Sequence, residues 1–229
     1  METGDYTIRT TSPSDLPQVL DLMRENFYFE ENMCKLLCER SKITDDERGI
    51  ITEISDGSVR AILQGSTCFV AVHSSGIVGA NLTLLSENPG CGEGKDALAG
   101  IFPSNPHSPV IEEYHKYLMD INDRANLFNR YQVKNLMEFY AVAVDKNHRR
   151  KGIAQELISR GISWARDQAI PLVFGVFTSP FSMKSAQRAG MTSILDIDLL
   201  EYKDHLGEPI FQGIPANIVN VMVRETKNL

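Results

Sequence analysis

Hydrophobic and polar positions recur along this chain with two periods, one typical of strands and one of helices. The segment Phe139–Val144 is an almost unbroken apolar run, rich in β-branched and aromatic residues, which predicts a strand buried on both faces. A polar turn follows at 145–151, and from Ile153 apolar residues recur at helical spacing through Leu157, Gly161 and Trp164. The centre of the chain is therefore predicted to be a strand, a basic turn and a helix.

The same periods predict the flanking elements. Strands are expected at residues 6–9, 67–72, 77–85, 172–177, 194–202 and 219–223, and helices at 12–27, 34–40, from the capping box 44–47, from Ser108-Pro109 and over 181–189. A right-handed crossover would make the strand at 172–177 parallel to the central strand. The segment Ser86 to Pro109 is too long for an ordinary connection, so we expect it to be mobile or a functional flap. The order predicts an α/β fold of one domain, 1–229, with a mixed central sheet flanked by helices.

Composition narrows the classes of protein. The net charge of -7 argues against a nucleic-acid binder and is compatible with a cationic small-molecule substrate. The four cysteines form no CxxC pair and have no histidine at zinc spacing, so no metal site is predicted. Free thiols suit a reducing compartment, and the sequence shows neither an apolar signal segment nor a run of about 18 apolar residues. We therefore expect a cytoplasmic monomer with no membrane partner.

The basic turn carries a chemical prediction of its own. The first amides of a helix lack internal partners and lie at the positive end of the helix dipole. Gly152 and Ala154 leave these amides accessible, and Arg149, Arg150 and Lys151 add full positive charges. The turn therefore predicts a site for a phosphate or pyrophosphate, with a solvated basic turn as the alternative.

Arg149, Gly152 and Ala154 form the pattern R-x-x-G-x-A. This pattern resembles the acetyl-CoA loop of the GCN5-related N-acetyltransferases (GNAT), whose family pattern is [QR]-x-x-G-x-[GA], and the predicted order of elements resembles the fold of that family. The resemblance implies the acyl-CoA N-acyltransferase (GNAT) fold, with acetyl-CoA as the acetyl donor and an acetyl-CoA-binding core at about 137–191. It assigns cofactor binding to the strand and the turn, at Val142, Ala143, Val144, Arg149, Arg150, Lys151, Gly152, Ile153 and Ala154.

Within that family the chain resembles the insect arylalkylamine N-acetyltransferases, including the dopamine acetyltransferase group. Phe27 to Met33 is similar to their F-F-x-x-E-P-L segment, although Asn32 stands where proline is usual. The stretch 142–154 resembles their V-x-x-x-x-R-x-x-G-[IL]-[GA]. Thr178 to Ser182 resembles their S-S-x-[YF]-S, ahead of an Ala189-Gly190-Met191 that is similar to L-G-[FY].

The resemblance implies three catalytic residues. The family's glutamate falls on Glu31, with Glu30 as the alternative in case the register differs by one, and its two serines fall on Thr178 and Ser182. An alkylamine is protonated at neutral pH, so it needs a base such as Glu31 before it can attack a thioester. Ser182 would donate to the departing thiolate; the alternative is that Ser182 only caps the helix that follows.

The sequence leaves other functions open. An enzyme of the same fold could acetylate polyamines or protein N-termini, and a non-catalytic acyl-CoA-binding module would keep the basic turn without needing Glu31. A covalent acetyl-cysteine route through Cys68 or Cys91 is a further alternative, although neither has a basic partner nearby in the sequence.

Overall fold

Seven strands form one mixed sheet in the computed structural model, which describes residues 6–88, 97–102, 106–213 and 217–226. The strands are β1 (Tyr6–Thr10), β2 (Phe69–His73), β3 (Gly76–Glu87), β4 (Asn135–Val144), β5 (Leu172–Phe177), β6 (Thr192–Asp198) and β7 (Ile218–Glu225). Their order across the sheet is β1-β2-β3-β4-β5-β7-β6, and β4 with β5 is the parallel pair. The predicted strands are confirmed, except that residues 199–201 form a short 3-10 helix and not the end of β6.

Eight α-helices connect these strands in the described part of the chain. They are α1 (Leu16–Asn26), α2 (Asn32–Ser41), α3 (Asp45–Gly65), α4 (Ala97–Ile101), α5 (Pro109–Ala125), α6 (Leu127–Tyr131), α7 (Ile153–Asp167) and α8 (Pro180–Arg188). Two predicted starts are confirmed in detail, because Thr44 and Glu47 form a capping box at α3 and Ser108 caps α5. The short helices α4 and α6 were not predicted, and α1 is preceded by a 3-10 turn at Pro13–Asp15.

The helices lie in two layers, one on each face of the sheet. Residues of α1, α2, α3 and α5 pack with one face, and residues of α7 and α8 pack with the other. Gly161 lets α7 approach closely, because a Cβ atom at this position would lie 2.6 Å from Cε1 of Phe139. The two apolar layers explain why the centre of the sheet is hydrophobic on both sides.

The central strand β4 differs from the predicted strand in one respect. Leu82 pairs with Ala141 and Thr83 with Phe139, so Tyr140 is an extra residue and forms a β-bulge. Phe139 packs in the α7 layer, whereas Tyr140 and Ala141 both pack in the α1 layer. The prediction that Phe139–Val144 packs on both faces is confirmed, since Ala141 and Ala143 lie in the α1 layer while Phe139 and Val142 lie in the α7 layer; Tyr140, Val142 and Val144 are nevertheless only half-buried.

Part of the predicted flap lies outside the described residues, which include α4 but not 89–96 or 103–105. Ser58 on α3 donates a hydrogen bond to the carbonyl of Ile101, which holds the end of α4 against α3. Among the helices that the structure describes, none combines the length and the hydrophobicity that crossing a bilayer requires.

Candidate active site

A gap in the sheet lies between the two parallel strands. β4 and β5 pair only at Met137 with Val173 and at Glu138 with Phe174, although both strands continue for several residues. Beyond these pairs, β4 stays bonded to β3 and β5 stays bonded to β7. One edge of β4 from the bulge onward is therefore left without a partner strand, as expected where a ligand enters an α/β sheet at the carboxyl ends of its strands.

The basic turn at residues 145–152 begins where β4 ends. The carboxylate of Asp145 accepts hydrogen bonds from the amide of Asn147 and from the ring of His148, both at 2.9 Å, and the bond to His148 lowers the pKa of Asp145. The amide of Lys146 donates to the side-chain oxygen of Asn26 at 2.9 Å, which ties the turn to the end of α1. The turn therefore has a defined conformation held from two sides.

The geometry of this turn fits an anionic ligand. Gly152 has a φ of +82° and directly precedes α7, and a Cβ atom there would meet no atom within 4 Å. Arg149, Arg150 and Lys151 are exposed, and Nε of Arg149 donates to the carbonyl of Val144 at 3.1 Å. Ile153 and Ala154 open α7, so their amides lie at the positive end of its dipole beside open space.

Two of the three predicted catalytic residues are in direct contact. The hydroxyl of Thr178 donates to Oε1 of Glu31 at 2.5 Å, although the two residues are 147 positions apart in the sequence. Glu31 is also the N-cap of α2, where Oε1 accepts from the amide of Met33 and Oε2 from that of Cys34. Glu30 is exposed and Glu31 is half-buried, so the geometry favours Glu31 over Glu30 as the match to the family's glutamate.

These bonds determine which oxygen of the Glu31 carboxylate can accept a further proton. Each carboxylate oxygen accepts about two hydrogen bonds. Oε1 already accepts from Met33 and Thr178, whereas Oε2 accepts only from Cys34. The atom that retains the capacity to accept a further proton is therefore Oε2, and the hydroxyl proton of Thr178 is already donated.

Glu31 lies at a narrow pocket of about 40 Å³. The described side chains that line it are mostly aromatic and apolar, and the only carboxylate among them belongs to Glu31. The lining residues are Met23, Phe27, Tyr28, Glu31, Cys34, Ser55, Ser58, Val59, Phe102, Ile111, Tyr114 and Tyr140. Burial first, and then nearby acidic groups, raise the pKa values of Tyr114 and Tyr140, so both phenols stay protonated at neutral pH. The pocket thus combines one acceptor of positive charge with aromatic faces.

The hydrogen bonds that the structure describes for the side chain of Ser182 are with Ser179. The hydroxyl of Ser182 donates to the carbonyl of Ser179 at 3.0 Å and lies 2.9 Å from the hydroxyl of Ser179. The N-cap of α8 is Ser179, which accepts from the amide of Ser182 at 3.1 Å. The alternative that Ser182 caps this helix is therefore wrong, because Ser182 is already the third residue of α8.

Neither Cys34 nor Cys68 offers an activated thiolate, whereas the hydrogen bond with Cys34 lowers the pKa of the Cys38 thiol, which does not line the pocket. Cys68 is fully buried, and burial raises the pKa of its thiol to about 11. Cys34 lines the pocket, but its hydrogen bond with Cys38 and its burial raise the pKa of its thiol further. Cys91 lies outside the described residues. Within the described ranges there is also no cluster of three or more His, Cys, Asp or Glu side chains that could hold a metal ion.

Comparison with known proteins identifies the class of this fold. Residues 119–187, which include β4, the basic turn, α7 and β5, match the model of the Acetyltransferase (GNAT) family. The resemblance to the GCN5-related N-acetyltransferases is therefore confirmed, and the chain has the GNAT fold.

Three solved structures show the same fold over nearly the whole chain. Arylalkylamine N-acetyltransferase 2 from Aedes aegypti is similar with a TM-score of 0.79 and 20% identity, over 98% of this chain and 100% of that one. A mosquito arylalkylamine N-acetyltransferase like 5b gives 0.73 and 22% over 96% and 99%. A Drosophila melanogaster polyamine N-acetyltransferase that forms N-acetylagmatine gives 0.76 and 19% over 96% and 100%.

Sequence reasoning missed several residues of the site. Asn26, Ser179, Tyr114 and Tyr140 were not predicted to contribute, and Asn32 was noted only as a departure from proline. The side-chain amide of Asn32 donates to the backbone carbonyl of Thr178 at 2.6 Å. The motif at 178–182 could have suggested Ser179 as a cap, since serine before proline commonly starts a helix.

Proposed function

We propose that this chain is an acetyl-CoA-dependent N-acetyltransferase. It transfers an acetyl group to the primary amine of an arylalkylamine or a related biogenic amine, by direct attack in a ternary complex. The observation that carries the proposal is the aromatic pocket whose described lining holds a single carboxylate, Glu31, beside the gap between β4 and β5. This arrangement supports Glu31 as the general base, the gap as the slot for an extended ligand and the basic turn as the anion site.

Acetyl-CoA supplies the acetyl group as a thioester when it is bound. Backbone groups of successive strand residues point alternately to β3 and to the edge of β4 that has no partner strand, so those of Val142, Ala143 and Val144 that face the open edge would pair with the amides of the pantetheine arm as a strand does. The side chains of 149–151 and the amides at 152–154 would hold the pyrophosphate, through charge and through the dipole of α7.

Glu31 removes the proton that makes the amine unreactive. The aromatic faces of the pocket favour an ammonium group, and the free position on Oε2 accepts its proton directly or through a water molecule. The pocket volume of about 40 Å³ has room for only a few water molecules, so lining side chains must shift when an arylalkylamine enters. Thr178 holds Oε1 during this step and does not act as an acid.

Ser182 supplies a proton or a hydrogen bond to the departing thiolate. A serine hydroxyl rotates freely, so its proton can turn from the carbonyl of Ser179 toward a developing charge. The hydroxyl of Ser179 can then donate to the oxygen of Ser182 across 2.9 Å. The absence of an activated thiolate at Cys34 or Cys68 supports direct attack over an acetyl-cysteine route.

The charge of the pocket supports a monoamine over a polyamine. A polyamine carries two or more positive charges, and each needs a partner when it is buried. The described lining offers one carboxylate and otherwise aromatic, apolar and hydroxyl groups. An aromatic ring bearing one ammonium group matches this composition, whereas agmatine or spermine would leave a charge unpaired.

One assay separates the candidate functions. Thiol release from acetyl-CoA would be followed with dopamine, serotonin, tryptamine, histamine and spermine, with initial rates at several concentrations of both substrates. Intersecting double-reciprocal lines with the arylalkylamines support the proposal, whereas parallel lines indicate a covalent acetyl-enzyme. Preference for spermine would identify a polyamine enzyme, and acetyl-CoA binding without thiol release would identify a non-catalytic acyl-CoA-binding module.

A further inference from the structure

The start of α2 is attached to the connection between β5 and α8 by two hydrogen bonds to one residue. Oε1 of Glu31 accepts from the hydroxyl of Thr178 at 2.5 Å, and Nδ2 of Asn32 donates to the carbonyl of Thr178 at 2.6 Å. Neighbouring residues of one segment thus bind both the side chain and the backbone of a single residue in another. We call these two bonds the Thr178 clamp.

The side chain of Asn32 has no structural role within α2 that would explain why asparagine occupies this position. It is the first residue of α2, where the cap is already provided by Glu31, and proline or alanine would serve equally well at this position. Its amide instead reaches a residue 146 positions away, directly after the end of β5. The bond therefore orients one segment against another.

The connection that Asn32 contacts has no regular secondary structure of its own. Thr178 lies between the last residue of β5, Phe177, and the cap Ser179, in neither a strand nor a helix. Displacement of Thr178 away from α2 would carry its hydroxyl away from Glu31, and Oε1 would then be open to water or to the amine. The bond from Asn32 to the Thr178 carbonyl opposes this displacement, so the hydroxyl stays on Oε1 and the acceptor left for a proton is Oε2.

We propose that Asn32 is a positioning residue that acts through Thr178 to hold the Glu31 carboxylate in its productive orientation. The inference rests on the proposed function, since it assumes that Glu31 is the base. Asn32 itself touches neither reactant, and its effect is confined to the direction in which Glu31 presents its free acceptor. Misplacement of a reacting group by about 1 Å can lower a rate by about 100-fold, so a single lost bond at this position is enough to be measured.

The test combines Asn32→Ala with Thr178→Val in a double-mutant cycle. Asn32→Ala should lower kcat by about 10- to 100-fold, with the KM for acetyl-CoA unchanged. The loss should appear in kcat, because Asn32 acts on the orientation of the Glu31 carboxylate and not on the binding of acetyl-CoA. In the Thr178→Val background, which lacks the hydroxyl, Asn32→Ala should have little further effect, and Thr178→Ser should restore the effect because it restores the hydroxyl.

A matched control is Asn129→Ala on α6, which removes an exposed 2.8 Å bond from an asparagine amide to the side-chain oxygen of Asn126. Equal kcat in Asn32→Ala and Asn129→Ala would overturn the inference, and so would an equal loss from Asn32→Ala in both Thr178 backgrounds. Wild-type protein that releases no thiol with any amine would refute the proposed function instead. The Thr178 clamp would then be tested by the free energies of unfolding in urea of the same set of variants. Additive effects of the two substitutions would count against the clamp, and coupled effects would support it.

Discussion

The anion-binding role of the basic turn can be tested at Gly152 with a pair of isosteric substitutions. Gly152 has a φ of +82°, and a Cβ atom there meets nothing within 4 Å, so Gly152→Asn and Gly152→Asp face the same backbone strain and no steric clash. Asn and Asp are also the residues that adopt this conformation most readily after glycine. The two variants therefore differ in one negative charge at the start of α7.

The expected difference follows from Coulomb's law. A carboxylate about 4 Å from a phosphate charge is repelled by about 1 kcal/mol in bulk water and by about 4 kcal/mol at the effective dielectric of a protein surface. Since about 1.4 kcal/mol is a factor of ten, Gly152→Asp should bind acetyl-CoA between about fivefold and about 700-fold more weakly than Gly152→Asn. The difference in affinity between the two variants should become smaller at high salt, where the charges are screened.

Isothermal titration calorimetry at low and high salt measures this difference, and thermal melts of both variants check that their folding is equal. Equal dissociation constants for Gly152→Asn and Gly152→Asp would show that no phosphate lies at this turn. The acetyl-CoA assignment would then lose its main support, whatever the catalytic residues do.

Three further predictions concern the base, the thiolate donor and acid stability. Glu31→Gln should lower kcat/KM for an arylalkylamine by about 10²–10⁴-fold at neutral pH, with partial recovery at high pH where the amine is already neutral. The control Glu30→Gln, at an exposed position, should have little effect. An equal loss in Glu31→Gln at every pH would indicate that Glu31 only binds the substrate. Ser182→Ala should keep acetyl-CoA affinity and reduce turnover, and wild-type turnover would contradict its role. The hydrogen bond from Arg9 holds the pKa of Asp15 well below its usual range, so this pair stabilises the fold above about pH 4 and less as the pH falls. Unfolding of Asp15→Asn should therefore depend less steeply on pH between about 5 and 2 than that of the wild type, and parallel curves would refute this.

Local features of the fold were predictable because they depend on residues close together in sequence. The capping box at Thr44 and Glu47, the cap at Ser108 and the helical face from Ile153 onward all lie within one or two turns of chain. The positions of the basic turn and of α7 were predicted for the same reason. Their assignment to acetyl-CoA came from a resemblance and not from these local rules.

Contacts over long sequence separations could not be predicted in this way. The bulge at Tyr140 depends on how β3 pairs with β4, and period-two alternation cannot report a register that changes within a strand. The bond from Asn26 to the amide of Lys146 joins residues 120 positions apart, and nothing near Asn26 indicates it. The contact of Thr178 with Glu31 likewise arises only when β5 ends beside α2.

The unpaired edge of β4 has a consequence for the dynamics of the free protein. Backbone amides on this edge have no partner strand to protect them, so in the free protein they should exchange with solvent deuterium faster than those bonded to β3. An edge inside a sheet is also a template for another strand, but its position between two layers of helices leaves a narrow extended chain as the partner that fits. Acetyl-CoA would then complete the sheet, and the melting temperature would rise with the logarithm of its concentration.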